Sequence, residues 1–282
     1  MQIRAAIQVA SQALNASSDT ARLDAELLLC KVLAKTRSYL FTWPEKELTP
    51  EQQQSFQQLI AQRSTGTPVA YLLGYREFWG MELAVSAATL IPRPDTELLV
   101  QVALERLETY HSPKILDLGT GTGAIALALA KERPDAQITA VDQSLAALAV
   151  AQINAQKLNL TKLEFVQSDW FSAFTKESQF DVIVSNPPYI ADSDPHLEQG
   201  DLRFEPRSAL SSGADGLKDL IHLIQNAPYY LKPQAWLILE HGYDQGSAVI
   251  QLLSKRGYTE LACYQDLGGN DRVSLGRSPT LL

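Results

Sequence analysis

Only two cysteines occur in these 282 residues, Cys30 and Cys263, one in each half of the chain. A lone distant pair makes no disulfide framework, and no Cys/His grouping has zinc spacing, so no metal is expected. The four histidines, His111, His196, His222 and His241, stand singly. No apolar run approaches the ~20 residues of a membrane helix. Met1-Gln2-Ile3-Arg4 opens an amphipathic segment, not a signal peptide. Basic residues are the minority charge, leaving a formal net charge of −8. That balance argues against a general nucleic-acid grip, which needs a basic face. The expectation is a soluble cytoplasmic protein with no membrane partner and no direct nucleic-acid partner.

With 45% hydrophobic residues the chain can bury a sizeable core, and its length suggests two domains. Residues 1–76 hold 8 Lys/Arg against 6 Asp/Glu, and residues 77–282 hold 16 against 26. The slight basic excess at the front is ordinary scatter. Ile3, Ala6, Ile7, Ala10 and Leu14 follow helical spacing. Ser18-Asp19 offers a cap for a second helix carrying Leu23, Leu27, Cys30 and Leu33. Thr49-Pro50-Glu51-Gln52 combines a capping box with proline at the first helical position, so a third helix runs to about Arg63. Gly66 and Pro68 stop it. Residues 1–88 therefore read as a small helical domain without a catalytic constellation, ending in a hairpin over residues 76–85 with Gly80 near its turn. Phe78 and Trp79 suit packing between domains. Leu90-Ile91-Pro92-Arg93-Pro94-Asp95-Thr96-Glu97 follows as a stiff elbow, where Asp95 or Thr96 can cap the next helix. Arg93 and Glu97 line a pocket or sit on a solvated turn; composition favours the turn.

From Lys114 the pattern becomes strand, glycine turn, helix. Lys114 to Leu118 is a strand, Gly119-Thr120-Gly121-Thr122-Gly123 follows it directly, and Ala124 to Lys131 is helical. Such a turn brings backbone close to a ligand at a helix N-terminus. Its glycines are not spaced as G-x-G-x-x-G and no Lys-Ser/Thr follows, so neither a dinucleotide nor a phosphate cradle is indicated. A second strand, Gln137 to Val141, ends in Asp142, placed to accept from a ribose. A carboxylate there favours a cofactor with positive charge over one with extra phosphates. A third strand, Lys162 to Gln167, ends in Ser168-Asp169-Trp170, an acceptor and an apolar wall beside an adenine. The run Phe180 to Val184 is a buried strand, and Asn186-Pro187-Pro188-Tyr189 follows it. Neither proline carries an N–H, so this turn presents carbonyls. The Asn186 side-chain oxygen and the Pro187 carbonyl together suit both protons of a planar –NH2, with Tyr189 as a flat stacking face. Alone, these residues equally describe a turn that ends a strand. Four such features after four successive strands, at the edge where α/β sheets bind ligands, favour the site.

The motifs resemble a known family. Asp117-Leu118-Gly119-Thr120-Gly121-Thr122-Gly123 with Asp142 is similar to the S-adenosylmethionine site of class I methyltransferases. Asn186-Pro187-Pro188-Tyr189 is similar to the motif of those that methylate planar nitrogens. The whole chain resembles the release-factor glutamine N5-methyltransferases, through the helical domain, the Phe78-Trp79 hairpin and Ile91-Pro92-Arg93-Pro94-Asp95-Thr96-Glu97. The likeness continues in Gln167 to Phe171, Arg203-Phe204-Glu205-Pro206, Glu240-His241-Gly242 and Asp271 to Leu275.

The resemblance implies an α/β fold, a Rossmann-like seven-stranded methyltransferase domain over residues 89–282 behind a helical substrate-recognition domain and hairpin linker. Glu260 to Gln265 and Arg272 to Arg277 would form the final antiparallel pair. Asp117, Gly119, Thr120, Gly121, Thr122, Gly123, Asp142, Asp169, Trp170 and Asn186 would hold S-adenosylmethionine, leaving S-adenosylhomocysteine as product. Asn186, Pro187, Pro188 and Tyr189 would bind the glutamine of the Gly-Gly-Gln loop in class I peptide-chain release factors, with Asn186, Pro187 and Tyr189 catalytic. A monomer is expected. The rival enzyme, an adenine or guanine N-methyltransferase on nucleic acid, needs a basic channel or target-recognition insert that the sequence lacks. A binding module that keeps the fold without transferring methyl is the rival outside enzymology. Leu197 to Ser212 reads as a loop over the active site or a solvent-facing connector, and Glu240 with His241 is a weak candidate for a catalytic pair.

Overall fold

The computed structural model describes residues 1–280. The chain divides into two compact units, Met1–Arg76 with Glu198–Phe204, and Glu77–Leu197 with Glu205–Leu282. In the first, α1 (Ile3–Leu14), α2 (Ala21–Leu33), α3 (Arg37–Thr42), α4 (Pro50–Ser64) and α5 (Val69–Leu73) surround one apolar core. Ile3, Ala6, Ala10 and Leu14 bury one stripe of α1 against Leu28 and Leu29 of α2 and Phe56 and Ile60 of α4. The Thr49 hydroxyl accepts from Gln52 N while the Gln52 side chain accepts from Thr49 N, the reciprocal box expected at the α4 start. The α2 start differs from expectation. Ser18 and Thr20 donate their hydroxyls to Asp24 instead of capping the helix with a side-chain bond. Asp24 thereby gains partners for a buried ion pair with Arg63 at 2.8 Å. Arg63 also donates to the Gly66 and Thr67 carbonyls and reaches Asp201 at 3.0 Å, which fastens the 198–204 segment to this unit. The six-residue α3 and five-residue α5 are too short to leave a periodic pattern.

β1 (Tyr75–Phe78) and β2 (Met81–Ala84) form the hairpin. Its two-residue turn takes positive φ at Trp79 (52°) and Gly80 (62°), the hand that suits the twist of paired strands. Phe78 does not pack between domains as expected. It is buried with Met81 and Leu83 in the core of the second unit, and the Trp79 indole donates to Glu132 at 3.0 Å.

The rest of the second unit alternates strand and helix. α6 (Thr96–Leu107) leads to β3 (Lys114–Leu118), α7 (Ala124–Glu132), β4 (Gln137–Asp142), α8 (Leu145–Lys157), β5 (Glu164–Gln167) and β6 (Phe180–Ser185). α9 (Lys218–Asn226), β7 (Leu231–Glu240), α10 (Gly246–Arg256), β8 (Thr259–Gln265) and β9 (Asp271–Arg277) complete it. Seven strands make one sheet in the order β5-β4-β3-β6-β7-β9-β8. The first five in that order run parallel, and β9 runs antiparallel to both β7 and β8. Side chains alternate strictly across it. Ile115, Val182, Val184, Trp236 and Ile238 face the core beneath α6 and α7, whereas Leu116, Leu118, Ile183, Leu237 and Leu239 face α9 and α10. Burial on both faces explains why the central strands read as continuous apolar runs.

Asn154 of α8 is fully buried and ties three elements together. Its Oδ1 accepts from Ala84 N at 2.6 Å, and its Nδ2 donates to the Ala84 and Thr122 carbonyls at 3.1 and 2.9 Å. The hairpin end and the glycine turn thus hang from one amide. Asn154→Leu strands these buried groups at about 1–3 kcal/mol each where water cannot reach. A loss of about 3 kcal/mol, or roughly 6–12 °C in melting temperature by calorimetry, is expected. A variant melting with the wild type would mean that the amide bonds carry no net stability.

Candidate active site

Strand order reverses direction between β3 and β6, and such a switch point leaves a crevice at the carboxyl edge of the sheet. Leu118 pairs with Ser185, and the Ser185 hydroxyl donates to the Leu118 carbonyl at 2.7 Å. Gly119 and Asn186 therefore leave neighbouring strands at one level. A cleft of about 980 Å³, counting its open mouth, lies there. Its walls include Gly119, Thr120, Gly121 and Thr122 after β3, Asp142 after β4, Asp169 and Trp170 after β5, and Asn186 and Pro188 after β6. Of the residues expected at the site, Asp117, Gly123, Pro187 and Tyr189 are not among those lining the cleft.

The glycine turn uses its own donors. Gly119 N and Thr120 N both donate to the Val141 carbonyl, Gly121 N to Asp142 Oδ2, and Gly123 N to the Thr120 carbonyl. Those N–H groups are spent inside the protein rather than aimed at a phosphate. Gly121 holds φ +56° with nothing within 4 Å of where a Cβ would stand, so the backbone itself forms the wall there. At Gly123 a Cβ would meet Leu127 at 3.1 Å and Ala151 at 3.2 Å, which makes that glycine a packing requirement between α7 and α8.

Asp142 accepts from Gly121 N and Ser144 N at 2.9 Å each, one bond per oxygen, and its second lone pairs remain for a ligand. Burial raises its pKa, and the two backbone donors work against that rise. Asp169 and Trp170 sit on a tight turn that Ser168 organises. The Ser168 hydroxyl donates to the Trp170 carbonyl at 2.7 Å and accepts from Ala173 N. Trp170 takes φ +48°, an uncommon conformation for a bulky residue, and its ring stands 3.6 Å from the Cβ position of Gly119. The cleft thus carries two carboxylates, an indole wall and one cation, Arg93, which is already paired with Glu205. That donor set fits a positively charged cofactor bearing an aromatic base and fits a polyphosphate poorly.

Asp117 acts behind the turn. Its Oδ2 accepts the Thr120 hydroxyl at 2.6 Å, whereas Oδ1 is buried without a partner. Burial pushes its pKa up to about 7, with the Thr120 bond and a backbone N–H of Ala126 opposing and the charge of Asp142 reinforcing.

In the Asn186–Tyr189 segment, Asn186 Nδ2 donates to the Thr96 hydroxyl at 3.1 Å. The backbone N–H groups of Tyr189 and Ile190 both donate to the Leu210 carbonyl, and Gln245 donates to the Tyr189 carbonyl. The Tyr189 ring does not offer a face to the cleft as expected. It packs into the core between the sheet and α9–α10, and its hydroxyl donates to Glu240 at 3.2 Å. Glu240 and His241 make no pair either: His241 is buried with its ring nitrogens bonded to the Ser274 hydroxyl and the Gly242 carbonyl.

Two contributions escape sequence reasoning. Arg93 lines the cleft rather than a solvated turn and pairs with Glu205, whose side chain is wholly buried and also accepts from Ile91 N. The Pro-rich elbow and the 205–212 loop are thereby locked, and Pro206, Ser208 and Ala209 of that loop join the cleft wall. Asp95 makes no side-chain cap at α6. Its carboxylate faces Arg272 at 3.6 Å, which leaves Thr96 free to serve Asn186. Glu97 accepts from Trp79 N at 2.7 Å and so anchors the hairpin.

The raised pKa of Asp117 has a definite stability consequence. Between its ordinary range near 4 and about 7 the folded chain holds the proton more tightly than the unfolded one. Its contribution is therefore complete at low pH and is lost as pH rises through about 7. Asp117→Asn carries no proton to lose. Melting curves at pH 5.5 and pH 8 are expected to show the variant gaining on the wild type at the higher pH, whatever its constant offset. A difference that does not change with pH would place Asp117 among ordinary ionised carboxylates.

Comparison with known proteins agrees with this architecture. Residues 5–74 match the family model described as PrmC N-terminal domain, and residues 94–202 match the Methyltransferase small domain. The release factor glutamine methyltransferase of Shewanella oneidensis is 51% identical over 275 residues, covering 98% of this chain and 96% of that protein. The protein of the same name from Vibrio cholerae is 50% identical, covering 99% and 97%. Among solved structures, the hMettl16 catalytic domain in complex with MAT2A 3'UTR hairpin 6 superposes with TM-score 0.57 at 16% identity, over 78% of this chain and 81% of that one. At that identity the likeness extends to the fold alone. Half of the residues are shared with the bacterial relatives along nearly the entire length, and on that ground the chain belongs to the release factor glutamine methyltransferase family.

Proposed function

We propose that this protein is a protein-glutamine N5-methyltransferase. It transfers a methyl group from S-adenosylmethionine to the side-chain amide of the glutamine in the Gly-Gly-Gln motif of class I peptide-chain release factors, in support of translation termination. The observation that carries the reading is the tie between Asn186 Nδ2 and Thr96 at the cleft wall. It ties one N–H of the amide to the protein and leaves Oδ1 as an acceptor for a visitor. Full-length identity of about half with release factor glutamine methyltransferases selects glutamine over a nucleobase.

S-adenosylmethionine supplies, when bound, a methyl group activated by an adjacent sulfonium. Asp142 would accept from its ribose, Asp169 and Trp170 would flank its adenine, and Gly119 to Thr122 would give the close approach, with Gly123 packing the turn between α7 and α8 and Asp117 steadying it through Thr120. An amide nitrogen is a poor nucleophile because its lone pair is delocalised into the carbonyl. Asn186 Oδ1 and the Pro187 carbonyl accept its two protons, raise electron density on nitrogen and stabilise the positive charge that develops there. The missing N–H groups of Pro187 and Pro188 keep competing donors away. Asn186 has no basicity to act as a general base, so the surplus proton leaves to water after transfer. Alignment of the two reactants supplies much of the rate, up to about 7–11 kcal/mol.

The helical unit is the recognition module for the release factor, in keeping with its separate core and its lack of catalytic groups. A monomer suffices, since one chain supplies every wall of the cleft. No helix among the described residues is long and apolar enough to cross a membrane, and the substrate's role in translation sets the cytoplasm as the working compartment.

Transfer of radiolabel from S-adenosylmethionine tests the reading, with purified release factor, the same factor with its loop glutamine changed to alanine, and bulk RNA and DNA as acceptors. Label on the intact factor alone is expected. Label on nucleic acid would install the base-methylating alternative. Asn186→Ala is expected to lower kcat by about 100-fold or more while cofactor affinity, read by calorimetry, changes little. Equal losses in both would remove Asn186 from the chemistry.

A further inference from the structure

Two large apolar side chains of the second unit lie in solvent at the carboxyl edge of the sheet, and the chemistry described above uses neither. Tyr243 follows β7 and is 67% exposed, and Leu267 stands wholly in solvent on the turn between β8 and β9. β7 runs parallel to β6, and β9 runs antiparallel to both of its neighbours, so β8 points the same way as β6 and β7. Asn186, Tyr243 and the β8–β9 turn therefore follow one another along a single edge, in the order of their strands. Three strand spacings of ~4.8 Å set Leu267 roughly 14 Å from the Asn186 turn, which an extended segment covers in about four residues.

Neither side chain stands on a slack loop. Asp266 organises the β8–β9 turn: its Oδ1 accepts from Gly268 N at 2.8 Å and Asn270 N at 3.0 Å, and its Oδ2 accepts from Arg272 at 3.1 Å. Arg272 also faces Asp95 at 3.6 Å and donates to the His241 carbonyl at 3.4 Å. One guanidinium thus joins the turn, the β7 end and the elbow that lines the cleft. Gln245 holds the Tyr243 loop in a similar way, accepting from Gly242 N at 2.9 Å and donating to the Tyr189 carbonyl at 3.0 Å. A turn in water ordinarily carries polar residues. Here a fastened backbone projects a leucine and a tyrosine outward, and preorganised apolar groups bind at low entropic cost. Exposed charge beside them is acidic, from Asp95, Asp215 and Asp244, while Arg272 is largely buried and paired. Residues 77–282 as a whole hold 16 basic side chains against 26 acidic ones.

We propose that Tyr243 and Leu267 form a ledge on which the release factor lays the segment of its chain that flanks the target glutamine. The inference rests on the functional reading given above. An apolar side chain about four residues from the glutamine covers Leu267, and basic side chains of the same segment answer the acids beside Tyr243. Those acids turn away a polyanion such as RNA or DNA.

Steady-state kinetics with intact release factor as the varied substrate test this, beside calorimetric titration of S-adenosylmethionine. Leu267→Ala and Tyr243→Ala are each expected to raise KM for the release factor about fivefold, and the double variant about 20-fold, with kcat and cofactor affinity within about twofold of wild type. Asp244→Asn is expected to flatten the rise of KM with added salt. Ile153→Ala removes a comparably exposed side chain from α8, which joins the two strands farthest from β8, and is expected to leave KM unchanged. A double variant with wild-type KM would overturn the ledge, as would an equal rise in Ile153→Ala or a loss confined to kcat. An unchanged salt dependence in Asp244→Asn would overturn the basic character of the segment. Self-association that Leu267→Ala abolishes, with KM unchanged, would assign the ledge to a second copy of the chain and overturn the proposal. A wild-type chain that labels no release factor would overturn the functional reading and the ledge's occupant with it, whereas failure of the ledge alone leaves wild-type transfer intact.

Discussion

The pairing of β3 with β6 is the constraint on which the site depends. These two strands meet where the sheet reverses its order, so their carboxyl ends open into a crevice instead of being closed by a crossover helix. Register then does the rest. Leu118 opposite Ser185 brings the glycine turn and the Asn186 turn to the same height, and the Ser185 hydroxyl bonded to the Leu118 carbonyl holds them there. A slip of one residue would exchange the two faces of every side chain in β6, moving Val182 and Val184 out of one core and Ile183 out of the other. The apolar contacts that fix the register are therefore the same ones that fix the distance between the glycine turn and the Asn186 turn.

Around that seam, polar side chains at the cleft are held from behind. Asp142 and Asp117 both serve the glycine turn, one through Gly121 N and the other through Thr120. Thr96 and Glu240 stand behind Asn186 and Tyr189. Glu205 holds Arg93 and the elbow backbone at once. Asp117, Thr96, Glu240 and Glu205 are buried and Asp142 is half-buried, so their hydrogen bonds face limited competition from water and the loss of one leaves a partner unsatisfied. Positions set in this way resist thermal wandering on the scale that alignment of reactants demands.

Much of this was legible in the sequence because it is local. The capping box at Thr49, the strand–glycine–helix run at Lys114 to Lys131 and the Asn-Pro-Pro-Tyr turn are patterns of adjacent residues, and each took the form that backbone chemistry dictates. Strand bounds shift by a residue or two from expectation: β5 begins at Glu164 rather than Lys162, and β8 and β9 each begin one residue earlier, at Thr259 and Asp271. What the sequence hid is non-local. Arg93 and Glu205 are 112 residues apart and pair only once the elbow and the later loop are folded together. Tyr189 was expected to offer its ring to a ligand, yet the alternation that places Asn186 and Pro188 at the cleft sends Tyr189 toward the core, where Glu240 takes its hydroxyl. Thr96 read as a helix cap because caps are commoner than amide anchors, and only the α6 placement over β6 separates the two.

The acids at and behind the cleft share one physical feature. Asp117, Asp142 and Glu240 all have their pKa raised, each chiefly by burial, so the fold keeps carboxylates in places that disfavour their charge. A cofactor that brings positive charge into the same cleft favours their ionised forms, and by linkage it binds more tightly as they ionise.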